Sequence, residues 1–236
     1  MRQIIALGGG GFGSSLENLK LDEYLLSLCA AAKPKVCFIP TASGDSLDYI
    51  AKFEAAYGSL GAETSVFQLF RSQTWTGTPE EMLLDQDLIF VGGGSTMNMM
   101  LLWQSWGIDT ILRKAYDQGT ILAGISAGAN IWFEQCTTDS LGPGIQVMPC
   151  LGWLPGSFTP HYDSEPERKP LLLQMLREHT IAPGYAATDG AAVHFVNEEL
   201  HKAIIDRKGA MAFDVERDTE TPLEITDFSD DSLKSL

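Results

Sequence analysis

One serine stands between two glycines in "GISAG", residues 124–128, directly after a small apolar run. The pattern G-x-S-x-G on a strand–turn–helix holds its serine on a sharp, strained turn that only small neighbours allow. Such a turn pushes Ser126 into a cleft at the start of a helix. There the helix dipole and the Ala127 N–H would face a developing oxyanion. A serine hydroxyl needs a base, and the chain has His161, His179, His194 and His201. His179 lies at an expected helix end, His194 in a strand pattern and His201 near a turn, all places where structural or surface histidines are common. His161 differs. It follows "SFTP" and opens the polar loop "HYDSEPER", so a strand end can present it to a cleft, and it is the candidate base.

Ser126 is one of three sites where an apolar run stops in small residues. The others are Gly8-Gly9-Gly10-Gly11 and Gly92-Gly93-Gly94-Ser95. In an open parallel sheet, ligands bind outside the carboxyl ends of the strands, so three such loops would line one cleft. A dinucleotide site is the first rival, because Gly8, Gly10 and Gly13 match G-x-G-x-x-G. The match is weak within a run of glycines, and the second strand ends in "PTAS" rather than in an acid. A phosphate-binding Walker loop is excluded, since no Gly-Lys-Ser/Thr is present.

The elements that must carry these loops alternate. Strands are expected over 2–8, 35–43, 64–70, 87–95 and 120–126, with helical patterns over 16–31, 46–60 and 96–118. Short apolar runs separated by helices imply parallel strands with crossovers, hence an α/β sandwich. After Gly142 the pattern changes to short β-like runs over 145–148, 157–160, 183–188, 191–196, 202–206 and 210–215, interrupted by a helix near 166–178. These predict an antiparallel C-terminal extension of the same sheet. Residues 1–236 are expected to form one domain, with an acidic tail from about 216 to 236.

Composition fits a soluble globular chain: hydrophobic residues make up 44% and charged residues 20%. The net charge of -15 disfavours nucleic acid and anionic membranes as partners, since both need basic patches. From Asp214 onward there are eight acids and two bases, the mark of a solvated tail. Cys29, Cys37, Cys136 and Cys150 form no C-x-x-C pair and have no histidine at metal-ligand spacing. They read as reduced, mostly buried thiols of a cytoplasmic protein. The N-terminal apolar run lacks the form of a signal peptide, and no later segment offers about 18 uninterrupted apolar residues.

Taken in order, "VGGGST" (91–96), "GISAGAN" (124–130), "TTDS" (137–140), "TPHYD" (159–163) and "TDGAAV" (188–193) resemble the peptidase E family. These are serine peptidases with a class I glutamine amidotransferase-like fold. "ALGGGG" and "IPTAS" also fit, and the resemblance spans roughly residues 2 to 215. It implies a three-layer sandwich around a mostly parallel sheet with a flavodoxin-like core. It implies Ser126 as nucleophile and His161 as general base. The oxyanion hole would use the N–H of Ala127 and that of Gly93 or Gly94. The third member of the triad is expected to be Asp189, in "TDG". Asp163, two residues after the histidine, and Asp139, in "TTDS", are the other options. Glu134 would lie about 12 Å along a helix from Ser126 if one helix joined them, too far to orient His161.

The resemblance further implies a dipeptidase preferring an N-terminal aspartate. Such a substrate needs a cation for its side chain, and arginine suits it through bidentate pairing; Arg168 is the candidate. The expected partner is a small peptide substrate, and the protein is expected to be a monomer or homodimer without metal or cofactor. A cyanophycinase-like peptidase, an esterase and a non-catalytic binder of small ligands on the same fold are the rival readings. An α/β-hydrolase is disfavoured because its histidine follows the acid, and a glutamine amidotransferase because its nucleophile is cysteine.

Overall fold

The structure is a computed structural model, described here for residues 1–228. The elements of the first half are β1 (Gln3–Leu7), α1 (Gly11–Ser14), α2 (Lys20–Ser27), β2 (Lys35–Ile39), α3 (Leu47–Ser59), β3 (Glu63–Val66), α4 (Pro79–Leu83), β4 (Leu88–Val91), α5 (Thr96–Trp106), α6 (Ile108–Gln118), β5 (Ile121–Ile125) and α7 (Ala127–Asn130). Those of the second half are β6 (Phe133–Thr138), β7 (Gln146–Pro149), β8 (Leu154–Thr159), α8 (Arg168–Arg177), β9 (Gly184–Ala187), β10 (Ala191–Val196), β11 (Glu199–Ile205), β12 (Ala212–Val215), β13 (Glu220–Pro222) and β14 (Ile225–Asp227). The main sheet has the order β14-β11-β10-β1-β5-β4-β2-β3. Strands β1 to β5 pair in parallel within it, as the alternation with helices requires.

Successive residues of the central strands feed opposite cores. Ile4 and Ala6 of β1 join one cluster, with Ile89 and Val91 of β4; Ile5 and Leu7 join the other, with Leu88 and Phe90. Such strands are hydrophobic throughout because both faces are covered. Helices α2 and α3 cover one face through Leu21, Tyr24, Leu25, Phe53 and Tyr57. On the other face lie Met99 and Trp103 of α5 and Leu112 of α6, together with Phe133 and Phe158 from a second sheet.

That second sheet corrects the expected single extension. Strand β10 does extend the main sheet antiparallel to β1, and β11 pairs antiparallel to β10. The remaining late runs fold apart from it, in the order β13-β12-β9-β8-β6-β7. Aromatic contacts join the two sheets: Phe195 of β10 meets Phe133 of β6 and Tyr185 of β9, with ring centroids 5.6 and 5.2 Å apart. Helix α8 packs on the second sheet through Leu172 and Leu176, against Ala186 and Val215. The expected helix over 96–118 is two helices, because Gly107 adopts φ 69° and ends α5 while opening α6. The expected helix over 16–31 narrows to α2. Of the expected acidic tail, β13 and β14 lie in sheets, and residues 229–236 lie outside the described residues. Among the described residues no helix is long and apolar enough to cross a membrane.

The loop after β1 rests on two buried carboxyls. Phe12 N–H donates to Asp22 Oδ2 at 2.9 Å, and a Cβ on Gly10 would fall 3.2 Å from Asp206 Oδ2. Burial pushes Asp22 up to about 7, with Asp206 adding to the rise, and burial pushes Asp206 up to about 6. An acid raised in the folded state stabilises the fold below its unfolded value near 3.8 and loses that contribution as pH climbs through its folded value. Asp22→Asn keeps an acceptor for Phe12 N–H and cannot ionise. Its stability relative to the wild type should therefore grow between about pH 4 and pH 7, by at most about 4 kcal/mol. Urea unfolding at several pH values checks this; a difference that is flat with pH would show that Asp22 is not so perturbed.

Candidate active site

Three successive residues at the end of β1 hold the candidate triad. The Leu7 carbonyl accepts from Ser126 N–H at 3.1 Å, and the Gly8 carbonyl accepts from His161 N–H at 3.2 Å. The Gly9 carbonyl accepts from Gly190 N–H at 3.0 Å, and Gly9 bridges Asp189. Ser126, His161 and Asp189 are thus fixed by their backbones to neighbouring rungs at the carboxyl edge of the main sheet.

Each arrives from a different element. Ser126 leaves β5 with φ 55° and ψ -115°, a conformation that costs a non-glycine residue about 1–3 kcal/mol. One turn of helix follows, and the Ser126 carbonyl accepts from Ala129 and Asn130 N–H at 2.9 Å each. The helix is only α7, so its dipole is slight, and the N–H groups of Ala127 and Gly128 at its start have no intrahelical acceptor. His161 also takes a positive φ, 53°, just past Thr159 of β8. Asp189 lies in the turn between β9 and β10. Because β10 runs antiparallel to β1, its start lies beside the end of β1.

His161 Nδ1 and Asp189 Oδ1 are 2.7 Å apart, with both side chains roughly three-quarters buried. The His161 contact is the largest influence holding the Asp189 carboxyl below its ordinary value, opposed by burial. Asp163 does not meet the imidazole. Its Oδ1 accepts from the backbone N–H of Asp189 at 2.9 Å, and Arg207 reaches its Oδ2 at 3.5 Å. Asp139 is exposed in the turn after β6. Glu134 lies on β6 rather than on a helix with Ser126, and accepts from Gly156 N–H at 2.9 Å.

The glycine loop after β4 abuts Ser126. A Cβ on Gly93 would fall 3.2 Å from Ser126 Cβ and 3.8 Å from its Oγ. A Cβ on Gly94 would collide with the Ala42 carbonyl, and φ 138° there suits glycine alone. Gly93 N–H donates to Tyr49 Oη at 3.5 Å. The "TTDS" motif braces this loop. Thr138 Oγ1 donates to Thr96 Oγ1 at 3.4 Å, and Met97 N–H donates to Ser140 Oγ at 3.1 Å.

Arg168 is buried at the start of α8 and heavily engaged. Its Nε donates to Glu165 Oε2 at 2.7 Å, and its Nη1 to the Thr137 carbonyl at 3.2 Å and Thr137 Oγ1 at 3.5 Å. Among the described residues Nη2 carries no hydrogen bond. Asn130 Nδ2 also donates to the Thr137 carbonyl, at 3.3 Å, and Thr137 Oγ1 donates to Thr159 Oγ1 at 3.0 Å. Thr137 therefore ties α7, just after Ser126, to the strand end just before His161. Sequence reasoning missed this strut, since threonines in adjacent strands carry no mark of their partners. It also missed Gly9. A Cβ there would overlap Asp189 Oδ1 and fall 3.1 Å from His161 Nδ1, yet nothing within a run of four glycines singles it out. The other histidines stay outside the site. His194 is buried between Tyr24 Oη at 2.6 Å and Gln3 Oε1 at 3.1 Å, and burial lowers it to about 4.

The chain is similar to known peptidases in sequence and in fold. The model of peptidase family S51 matches residues 4–203. An uncharacterized peptidase of Bacillus subtilis, YgaJ, is 46% identical over 215 residues, covering 91% of this chain and 92% of that protein. Peptidase E of Streptomyces coelicolor is 28% identical over 138 residues, covering 57% of this chain and 54% of that protein. Among solved structures, a peptidase from an acI-B1 actinobacterium superposes with a TM-score of 0.74 at 18% identity, covering 95% of both chains. A putative peptidase E from Listeria monocytogenes gives 0.63 at 20% identity, covering 85% of this chain and 97% of that one. At such identities the superpositions speak for the fold, while the family match and the Bacillus relative speak for the family: the chain belongs to peptidase family S51.

Proposed function

We propose that the chain is a cytoplasmic serine peptidase that cleaves small peptides, foremost dipeptides with an N-terminal aspartate, through an acyl-enzyme on Ser126. The observation that carries this reading is the 2.7 Å contact between His161 Nδ1 and Asp189 Oδ1, on a backbone rung next to that of Ser126. Asp189 Oδ1 accepts a hydrogen bond from His161 Nδ1–H, which leaves Nε2 with the lone pair a general base needs. Ser126 Oγ attacks the scissile carbonyl carbon as its proton passes to Nε2. The oxyanion is held by Ala127 N–H and by Gly93 or Gly94 N–H. Collapse expels the amine, which takes the proton from Nε2, and water releases the acyl group by the same steps in reverse order. Arg168 would receive the aspartate side chain through Nη2, its other nitrogens being engaged within the protein. The four free thiols accord with a reducing compartment.

A panel of Asp-X, Glu-X and Ala-X dipeptides tests the reaction and its specificity together. Wild-type protein should favour Asp-X, and Ser126→Ala should lower kcat/KM by at least about 10⁴-fold. Arg168→Lys should raise KM for Asp-X and spare Ala-X. Equal loss on both substrates would reduce Arg168 to part of the Thr137 strut. If no dipeptide is cleaved, a serine-directed fluorophosphonate separates another hydrolase, which it labels, from a binding protein, which it does not.

Gly9→Ala tests the geometry behind the proton transfer. The added methyl must displace Asp189 or His161, and a misplacement of about 1 Å can cost 10²-fold in rate. The expected result is a fall of about that size in kcat with KM nearly unchanged and a folded protein by circular dichroism. Unchanged kcat would argue against a role for the His161–Asp189 pair.

A further inference from the structure

Outside the candidate active site, one cluster of nucleophilic side chains stands apart. Cys136 lies in β6, and Cys150 directly follows β7, the neighbouring antiparallel strand. The Cys150 thiol donates to Cys136 Sγ with the sulfurs 3.5 Å apart, and both thiols are free. Cys150 N–H is anchored to the Glu134 carbonyl at 2.9 Å, so the contact is held by the backbone of both strands. Cys136 is fully buried. Cys150 is half-buried and opens on a surface cavity of about 360 Å³, which Asp109, Arg113 and Trp153 also line. One thiol is thus reachable by a small solute, and its partner is shielded and in contact.

We propose that Cys136 and Cys150 form a peroxide-reactive dithiol that closes to a reversible disulfide, coupled to the strut beneath Ser126 and His161. Cys150 thiolate attacks one oxygen of hydrogen peroxide. An S–O bond forms, the O–O bond breaks, and hydroxide leaves, giving a sulfenic acid. Cys136 sulfur then attacks the Cys150 sulfur. The S–S bond forms, the S–O bond breaks, and the Cys136 proton leaves with the hydroxide as water. Two thiols are oxidised and one peroxide is reduced to two waters. A dithiol reductant reverses the change by exchange. The order of events follows from the environment: contact with Cys150, then burial, holds the Cys136 thiol well above its ordinary range, so it serves as the resolving partner.

Closure must draw the sulfurs from 3.5 Å to about 2.05 Å. The movement falls on β6 next to Thr137, whose carbonyl and hydroxyl hold Asn130, Thr159 and Arg168. Oxidation therefore loads the connection between the segment after Ser126 and the segment before His161.

The test treats the full chain with hydrogen peroxide, quenches it, and counts thiols by alkylation and mass. Two of the four thiols should be lost, the fragment carrying both cysteines should be lighter by two hydrogens, and dithiothreitol should restore it. Cys150→Ser, treated alike, should show no such fragment. Retention of all four thiols, or advance of Cys150 to a sulfinic acid with Cys136 free, would overturn the proposal. Amide hydrogen exchange over residues 127–138 reads the coupling without reference to peptidase activity. It should rise several-fold in the oxidised wild type and stay constant in treated Cys150→Ser. A disulfide that leaves this exchange unchanged would overturn the coupling.

Discussion

The end of β1 is the constraint on which the site depends. Leu7, Gly8 and Gly9 offer three consecutive backbone groups, and these hold Ser126, His161 and the Asp189–Gly190 turn. β1 is flanked by β5 on one side and β10 on the other. It is buried on both faces, with Ile4, Ile5, Ala6 and Leu7 all inaccessible to solvent. A strand in that position cannot shift without disturbing both cores, so it is a stiff reference for three side chains that must agree to within a fraction of an ångström. Gly9 is where this rigidity meets a steric demand, because the carboxylate and imidazole lie against the strand where a side chain would be.

The surrounding packing has to offset local strain. Ser126 and His161 both sit at positive φ, and each such residue costs about 1–3 kcal/mol. Around Ser126 the compensation is close backbone approach: a Cβ on Gly124 would overlap the Gly128 carbonyl, and one on Gly128 would overlap that of Val91. Around His161 it is hydrogen bonding. Its N–H is taken by Gly8, its carbonyl accepts from Glu165 at 3.1 Å, and Tyr162 N–H donates to the Ala187 carbonyl at 3.1 Å. The Thr137 strut then links the two strained segments through Asn130 and Thr159, so neither can relax alone.

What was legible in the sequence follows from how local each signal is. Most of the parallel half was readable because β1, β2, β4 and β5 are short apolar runs ending in small residues and most crossovers have a helical period. β3 is more polar and shorter than the expected 64–70, and the short α4 carried no readable period. The break at Gly107 was not readable either, since apolar residues continue on both sides of it. Ser126 announced itself through its flanking glycines, and His161 through its strand end and polar loop. Asp189 was different. An Asp-Gly between two β runs is also an ordinary hairpin turn, and only likeness to a family favoured it over Asp163 and Asp139. The second sheet escaped for a related reason. Runs of four to six residues record that they are strands, not which strand they pair with, so β7 to β9 could have joined either sheet, and β6 was not read as a strand at all.

Topology supplies what those local signals lack. An acid reaches the carboxyl edge of a parallel sheet in two ways: by following a parallel strand or by preceding an antiparallel one. Asp189 arrives by the second route, since it precedes β10, which runs against β1. His161 follows β8, the parallel neighbour of β9. The late strands therefore bring the candidate base and acid to the same edge together, from a second sheet whose core is shared with the first. Ser126 belongs to the sheet that could be read from periodicity, and His161 and Asp189 belong to the region where strand pairing could not be read. Asp163 shows why proximity in sequence misleads here. Two residues from His161, it supports the backbone of Asp189 and leaves the imidazole to an acid 28 residues away.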